Sequence, residues 1–321
     1  MATPRKPNSP RTPQSQRNAP VPQSTAPQLV DPRWILKALA LVFAVALLLA
    51  WGTLCLLWYQ GQWQLVLHPS HDVLKTPTFE SQLDDASCTE TRFFTDETGN
   101  PRLNARLCPV WVTPLASTPL VRGFNPNYSA VLYLHGADGS INDALPRASA
   151  LRYGAKLNVL LFDYRGYGKS AGQHPTQATM QEDAEAALNF MLISQHIPPQ
   201  KIILYGQGLG ASLAVQLAAE HHDIPAIILD APDGDLTNRV VHDPHSSLVP
   251  ARLLFNEPFP LAEPLSKLTT PKLLITYTNA QNPPAALSNA ANPKTTIELP
   301  SPTDPTLLPA IQRFVDLYIA H

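Results

Sequence analysis

Across 321 residues the chain has only three cysteines and three methionines, and from Lys267 to Ala320 it has no histidine at all. The cysteines lack metal-finger spacing and no His-x-x-x-His pair occurs, so the sequence offers no framework for zinc and no metal ligand set is assigned. Charge of one sign is not in excess either. The net charge is −2, with no basic stripe and no aromatic-basic module, which excludes a nucleic-acid binder. No internal repeat is present, which excludes solenoids and propellers. Large apolar residues are scarce from Met1 to Pro32, where Pro, Gln, Ser, Thr and Asn dominate. Such a segment cannot bury enough surface to fold, so residues 1–33 read as a disordered tail.

Charge then disappears for 22 residues, from Ala38 to Tyr59. A helix of about 20 such residues spans a bilayer core, and Trp34, Trp51, Trp58, Tyr59 and Trp63 suit interfacial anchoring. Residues 34–60 are therefore expected to be a transmembrane signal anchor, followed by a linker over 61–90. A cleaved signal peptide is the rival, but its apolar region is shorter and ends in a small-x-small site. Before the span Arg5, Lys6, Arg11, Arg17, Arg33 and Lys37 oppose Asp31 alone, whereas the 20 residues after it contain no arginine and, as lysine, only Lys75. The positive-inside rule places the N-terminus in the cytoplasm and the C-terminal domain outside it, with the membrane as a partner through helix 38–59. Cys55 lies in the span; Cys88 and Cys108 flank an expected hairpin over 91–112 that turns at Gly99-Asn100. They read either as a disulfide of an oxidising compartment or as two small apolar residues.

Beyond the hairpin, strands are expected at 130–135, 158–163, 201–206, 226–230, 272–277 and 295–299. Helices are expected at 142–154, 179–195, 209–221 and 305–319, with a small cap at 232–266. Strands alternating with helices imply a mostly parallel sheet in one α/β domain over 91–321, with its site at the C-terminal strand ends.

The most informative segment is Tyr205-Gly206-Gln207-Gly208-Leu209-Gly210-Ala211-Ser212, between an apolar strand and an Ala/Leu-rich helix. This is the layout of a nucleophile elbow, G-x-S-x-G, with Gly208 in the nucleophile position. Upstream, Val131 to Leu134 runs into His135-Gly136-Ala137-Asp138-Gly139, as a strand runs into an oxyanion loop. Next comes Asp163-Tyr164-Arg165-Gly166-Tyr167-Gly168-Lys169-Ser170. On these three segments the chain, from about Phe93 onward, resembles the α/β-hydrolase superfamily. Within it the chain is similar to the membrane-anchored serine hydrolases of the BEM46 and ABHD13 type.

The resemblance implies a triad in the order Ser, Asp, His. The serine position holds Gly208. The acid position, read from the stretch Pro271 to Pro284, holds Ala280. The histidine position, in the loop after Thr295 to Leu299, holds Asp304. No acyl-enzyme machinery is then expected, and no cofactor.

Nearby groups offer few substitutes. Ser212 lies one turn into the helix and reads as a packing residue. His135 belongs to the oxyanion loop. Asp230, at a strand end, has no histidine to orient. His242, Asp243 and His245 fall in the cap and read as solvated. What survives is an anion-favouring pocket of His135, Gly136, Ala137, Gln207, Gly208 and Leu209, suited to a small carboxylate or carbonyl ligand. Two functions follow. One is a membrane-anchored pseudo-hydrolase that binds or scaffolds; the other is an active ester, thioester or peptide hydrolase using residues outside the usual triad.

Overall fold

The computed structural model describes residues 32–70, 109–112, 128–168, 170, 174–278 and 287–319. The N-terminal tail, Cys88, Cys108, the Gly99-Asn100 turn and Ala280 lie outside the described residues. By contact density the chain divides into Met1–Gly52 and Thr53–His321. Helix α1 covers Pro32–Gly61, 30 residues with none buried. At 1.5 Å per residue it is about 45 Å long, enough to cross a bilayer core of about 30 Å. A membrane anchor and a signal sequence both meet that criterion.

The second unit is built in chain order from β1 (His68–Pro69), β2 (Pro109–Val112), β3 (Ala130–Leu134), β4 (Asp138–Gly139), α2 (Ile141–Gly154), β5 (Asn158–Phe162) and α3 (Gln177–Asn189). After these come β6 (Ile202–Gln207), α4 (Gly210–Glu220), β7 (Ala226–Asp230), α5 (Thr237–Val241), α6 (Ala251–Leu254), α7 (Ala262–Lys267), β8 (Lys272–Tyr277), β9 (Lys294–Leu299) and α8 (Leu307–Tyr318). Seven strands form one sheet in the order β2-β5-β3-β6-β7-β8-β9. Every pairing is parallel except β2 with β5. A parallel sheet needs cover on both faces, and the sequence supplies it: β3 and β7 are buried at every residue and, up to the terminal Asp230 of β7, read as apolar runs.

Two cores result, one on each face. Met180, Leu188, Leu213, Leu217 and the cap residues Phe259, Leu261 and Leu265 pack on one; Leu151, Ile311, Phe314 and Val315, from α2 and α8, pack on the other. Most boundaries differ from the expected ones by a residue or two; α3 ends at Asn189, six residues before the expected 195, and passes into a π-helical turn over Phe190–Ser194. β6 runs on to Gln207 because that residue pairs with Asp230, and α4 accordingly opens at Gly210 rather than Leu209. The expected cap over 232–266 contains α5, α6 and most of α7.

Residues 62–70, expected as linker, are packed into the domain. Val66 and Leu67 are buried in the first core, and β1 pairs in parallel with β4 beside the His-Gly loop. No periodicity announces this segment, because only two of its residues enter a strand.

Candidate functional site

The sheet brings the C-terminal ends of β3, β6, β7 and β8 together, and the elbow sits at the end of β6. Gly208 adopts φ +54, the left-handed region that side chains disfavour. Its N–H donates to Asp230 O at 2.9 Å, and its carbonyl accepts from Ala211 N–H at 3.1 Å and Asp233 N–H at 2.9 Å. A Cβ at Gly208 would have one neighbour, Gly136 Cα at 3.7 Å, an ordinary contact. The flanking glycines differ. A Cβ at Gly206 would strike the backbone of Gly210 and Ala211, and one at Gly210 the carbonyls of Leu134 and His135. Those two are glycine because backbone approaches backbone. Gly208 is the position with room for a side chain and none present.

The facing loop is oriented by buried groups. His135 Nδ1 lies 2.9 Å from Gly136 O; a carbonyl only accepts, so Nδ1 carries the proton. Carbonyl and N–H point opposite ways across a trans peptide, so this bond directs the Ala137 N–H away from the imidazole. The pinned Gly208 carbonyl orients the Leu209 N–H in the same manner. Neither N–H has an acceptor among the described residues. Tyr164 Oη donates to His135 O at 3.2 Å and Tyr167 Oη to Ala137 O at 2.8 Å, so the Asp163–Gly168 motif braces the loop. Arg165, in the same motif, ties down α3: Nε and its backbone N–H donate to Asp183, and Nη2 to Glu182.

His135 is shut away from solvent in this arrangement. It is buried beneath Tyr164 and Tyr167, with ring centroids 4.4 and 5.1 Å away. Burial lowers its pKa to about 4. Its Nε2 is buried without a hydrogen-bond partner, and Asp163 Oδ1 stands 3.9 Å off. Of the expected pocket residues, Gly136, Ala137, Gln207 and Gly208 are half-buried around the elbow, whereas His135 and Leu209 are buried and contribute through backbone.

The remaining candidates are dispersed. Ser212 is fully buried, donates to Pro260 O at 2.7 Å and accepts from Gln216, so it fastens the cap to α4. Asp304 accepts from Thr306 N–H at 2.9 Å and from the Thr306 hydroxyl, which lowers its pKa and caps the approach to α8. His242 bonds Asn238 O, and His245 bonds Asp243, both exposed in the cap. His68 pairs with Asp138 at 2.7 Å on the surface.

Asp230 occupies a cluster that the sequence does not announce. It is buried, accepts from Tyr205 Oη at 2.5 Å and Tyr277 Oη at 2.6 Å, and lies 3.2 Å from Arg147 Nε. Arg147 Nη2 also reaches Tyr277 Oη, at 3.1 Å. Burial first, then Asp230, raises the pKa of both tyrosines, so both stay protonated donors. Tyr133 stacks on Tyr205, 4.7 Å between rings, and donates to Gln207 Oε1 at 2.7 Å. The available signal was Tyr133 and Tyr205 at paired positions of two aliphatic strands.

A mostly parallel sheet with an elbow after β6 and a His-Gly loop after β3 defines an α/β-hydrolase fold. Residues 125–293, more than half of the chain, match the family described as serine aminopeptidase, S33, and the chain belongs to that family. An uncharacterized protein of Mycobacterium tuberculosis is 34% identical over 199 residues, 58% of this chain and 69% of that one. Protein bem46 of Schizosaccharomyces pombe is 36% identical over 101 residues, 31% of this chain and 33% of that one, in keeping with a BEM46-like assignment. An esterase of Pyrococcus furiosus, Pf2001, superposes with a TM-score of 0.54 over 79% of this chain and 99% of that one. At 16% identity that likeness concerns the fold alone.

Proposed function

We propose that this chain is a membrane-anchored, non-catalytic α/β-hydrolase-fold protein that holds a small carboxylate or carbonyl ligand at the elbow. The observation that carries it is Gly208, which keeps the turn at φ +54 with space for a side chain and no nucleophile. Two N–H groups beside the elbow, of Ala137 and Leu209, have no acceptor among the described residues, and the start of α4 adds positive potential. Supporting it further, His135 is neutral and spent on a backbone carbonyl, and Asp230 is paired with Arg147 and two tyrosines rather than a histidine. The helix spanning 32–61 serves as a retained anchor with the N-terminus cytoplasmic and the C-terminal domain extracytoplasmic, in line with the charge asymmetry around it.

Family membership favours a second reading, an active ester, thioester or peptide hydrolase with an unaligned nucleophile. Fold alone does not confer that activity. Full-length protein in detergent separates the two. With a fluorophosphonate probe and a p-nitrophenyl ester panel, neither the wild type nor Gly208→Ser is expected to label or turn over. Turnover by the wild type above a denatured control would sink the non-catalytic reading. Carboxylates from acetate to octanoate are expected to raise the melting temperature with concentration, and Gly208→Leu, which fills the space, to abolish the rise.

A further inference from the structure

The cap segment Pro244 to Asn256 reads Pro-His-Ser-Ser-Leu-Val-Pro-Ala-Arg-Leu-Leu-Phe-Asn, with Arg252 and His245 but no acidic residue. Its tip is apolar and outward: Leu253 is 83% exposed and Leu248 71%, with Val249, Leu254 and Phe255 half-buried beside them. Scattered surface leucines need no explanation, but these stand together in one short segment, and that segment is fastened to the end of α1. Asn256 N–H donates to Gln62 Oε1 at 2.9 Å, and Asn256 Nδ2 to Tyr59 Oη at 3.3 Å. Gln62 in turn donates to Tyr59 O at 2.9 Å, while Trp58 and Trp63 pack on the core beneath the cap.

From this geometry we infer that the cap tip, Leu248 to Phe255, is a second membrane contact that rests on the lipid surface beside the anchor. The inference rests on the anchor reading above. Tyr59 and the flanking tryptophans then mark the bilayer interface. Leu253 is three residues from Asn256, so it lies within about 11 Å of a residue bonded to that interface. Interfacial segments bury their apolar face by about 5–10 Å, which matches this reach. Arg252 would extend to lipid phosphate while its stem covers apolar surface; of the two acidic residues that flank the segment, Asp243 is paired with His245 and Glu257 is buried, which limits repulsion from anionic headgroups.

The test uses the full chain in phosphatidylcholine–phosphatidylserine vesicles with the photo-cross-linker p-benzoylphenylalanine at Leu253, Leu317 or Leu47. Leu317 is 70% exposed on α8, whose buried residues pack on the opposite face of the sheet, and Leu47 lies within α1. Lipid-mass adducts are expected at 253 and 47, with none above background at 317. An adduct at 47 but none at 253 would overturn the cap contact and leave the anchor standing. Equal adducts at 253 and 317 would overturn it as unspecific, and a protein-dimer adduct at 253 would assign the tip to a second copy. No adduct at 47 would remove the anchor reading and this inference with it.

Discussion

Gly206, Gly208 and Gly210 are chemically identical, and the structure sorts them by what a single added carbon would meet. At Gly208 the carbon meets only Gly136 Cα, so Gly208→Ser is expected to cost the backbone strain of a left-handed residue, about 1–2 kcal/mol. At Gly206 and Gly210 it meets backbone, so alanine there is expected to cost more than serine at 208, read from urea midpoints. A reversed order would mean that the elbow has relaxed. His135 makes a second residue-scale prediction. Its pKa falls to about 4 on folding, from 6.5, so between those values the unfolded chain binds more protons. Its contribution is therefore complete above pH 6.5 and lost as pH falls toward 4, a change of about 3 kcal/mol. His135→Asn, which retains a donor for Gly136 O, is expected to flatten that part of a stability–pH profile; an unchanged slope would refute the assignment.

Among elements, the link between α2, β6, β7 and β8 is the Arg147–Asp230–Tyr205–Tyr277 cluster. Removing one partner of a buried ion pair leaves the other charge uncompensated. Arg147→Met is thus expected to destabilise the domain by about 3–5 kcal/mol, and adding Asp230→Asn to recover much of that in chemical denaturation. Equal additive losses would show that the two side chains do not act together. At this scale the strands and helices were readable because apolar runs of four to six residues alternate with amphipathic or Ala-rich stretches. The cluster was not, since Arg147 and Asp230 are 83 residues apart and meet only when α2 lies across the strand ends. Asp230 by itself looked like an acid in search of a histidine; packing gave it an arginine.

For the whole molecule, the anchor reading makes a topological prediction. Protease added outside intact cells is expected to cut the domain, while a tag fused ahead of Met1 stays protected until the membrane is permeabilised. The reverse pattern would overturn the orientation drawn from Arg5, Lys6, Arg11, Arg17, Arg33 and Lys37. By itself the sequence determined the apolar span, the α/β alternation, the elbow and the glycine at its apex, because each is written in contiguous residues by periodicity, backbone sterics or a local motif. Tertiary structure alone decided that residues 62–70 belong to the domain and that the cap is bonded to the end of α1. It also decided that His135 serves a carbonyl and Asp304 a helix start. Those outcomes depend on which distant groups share a buried space, where an unpaired polar atom is costly and each side chain is committed to the partner that packing supplies.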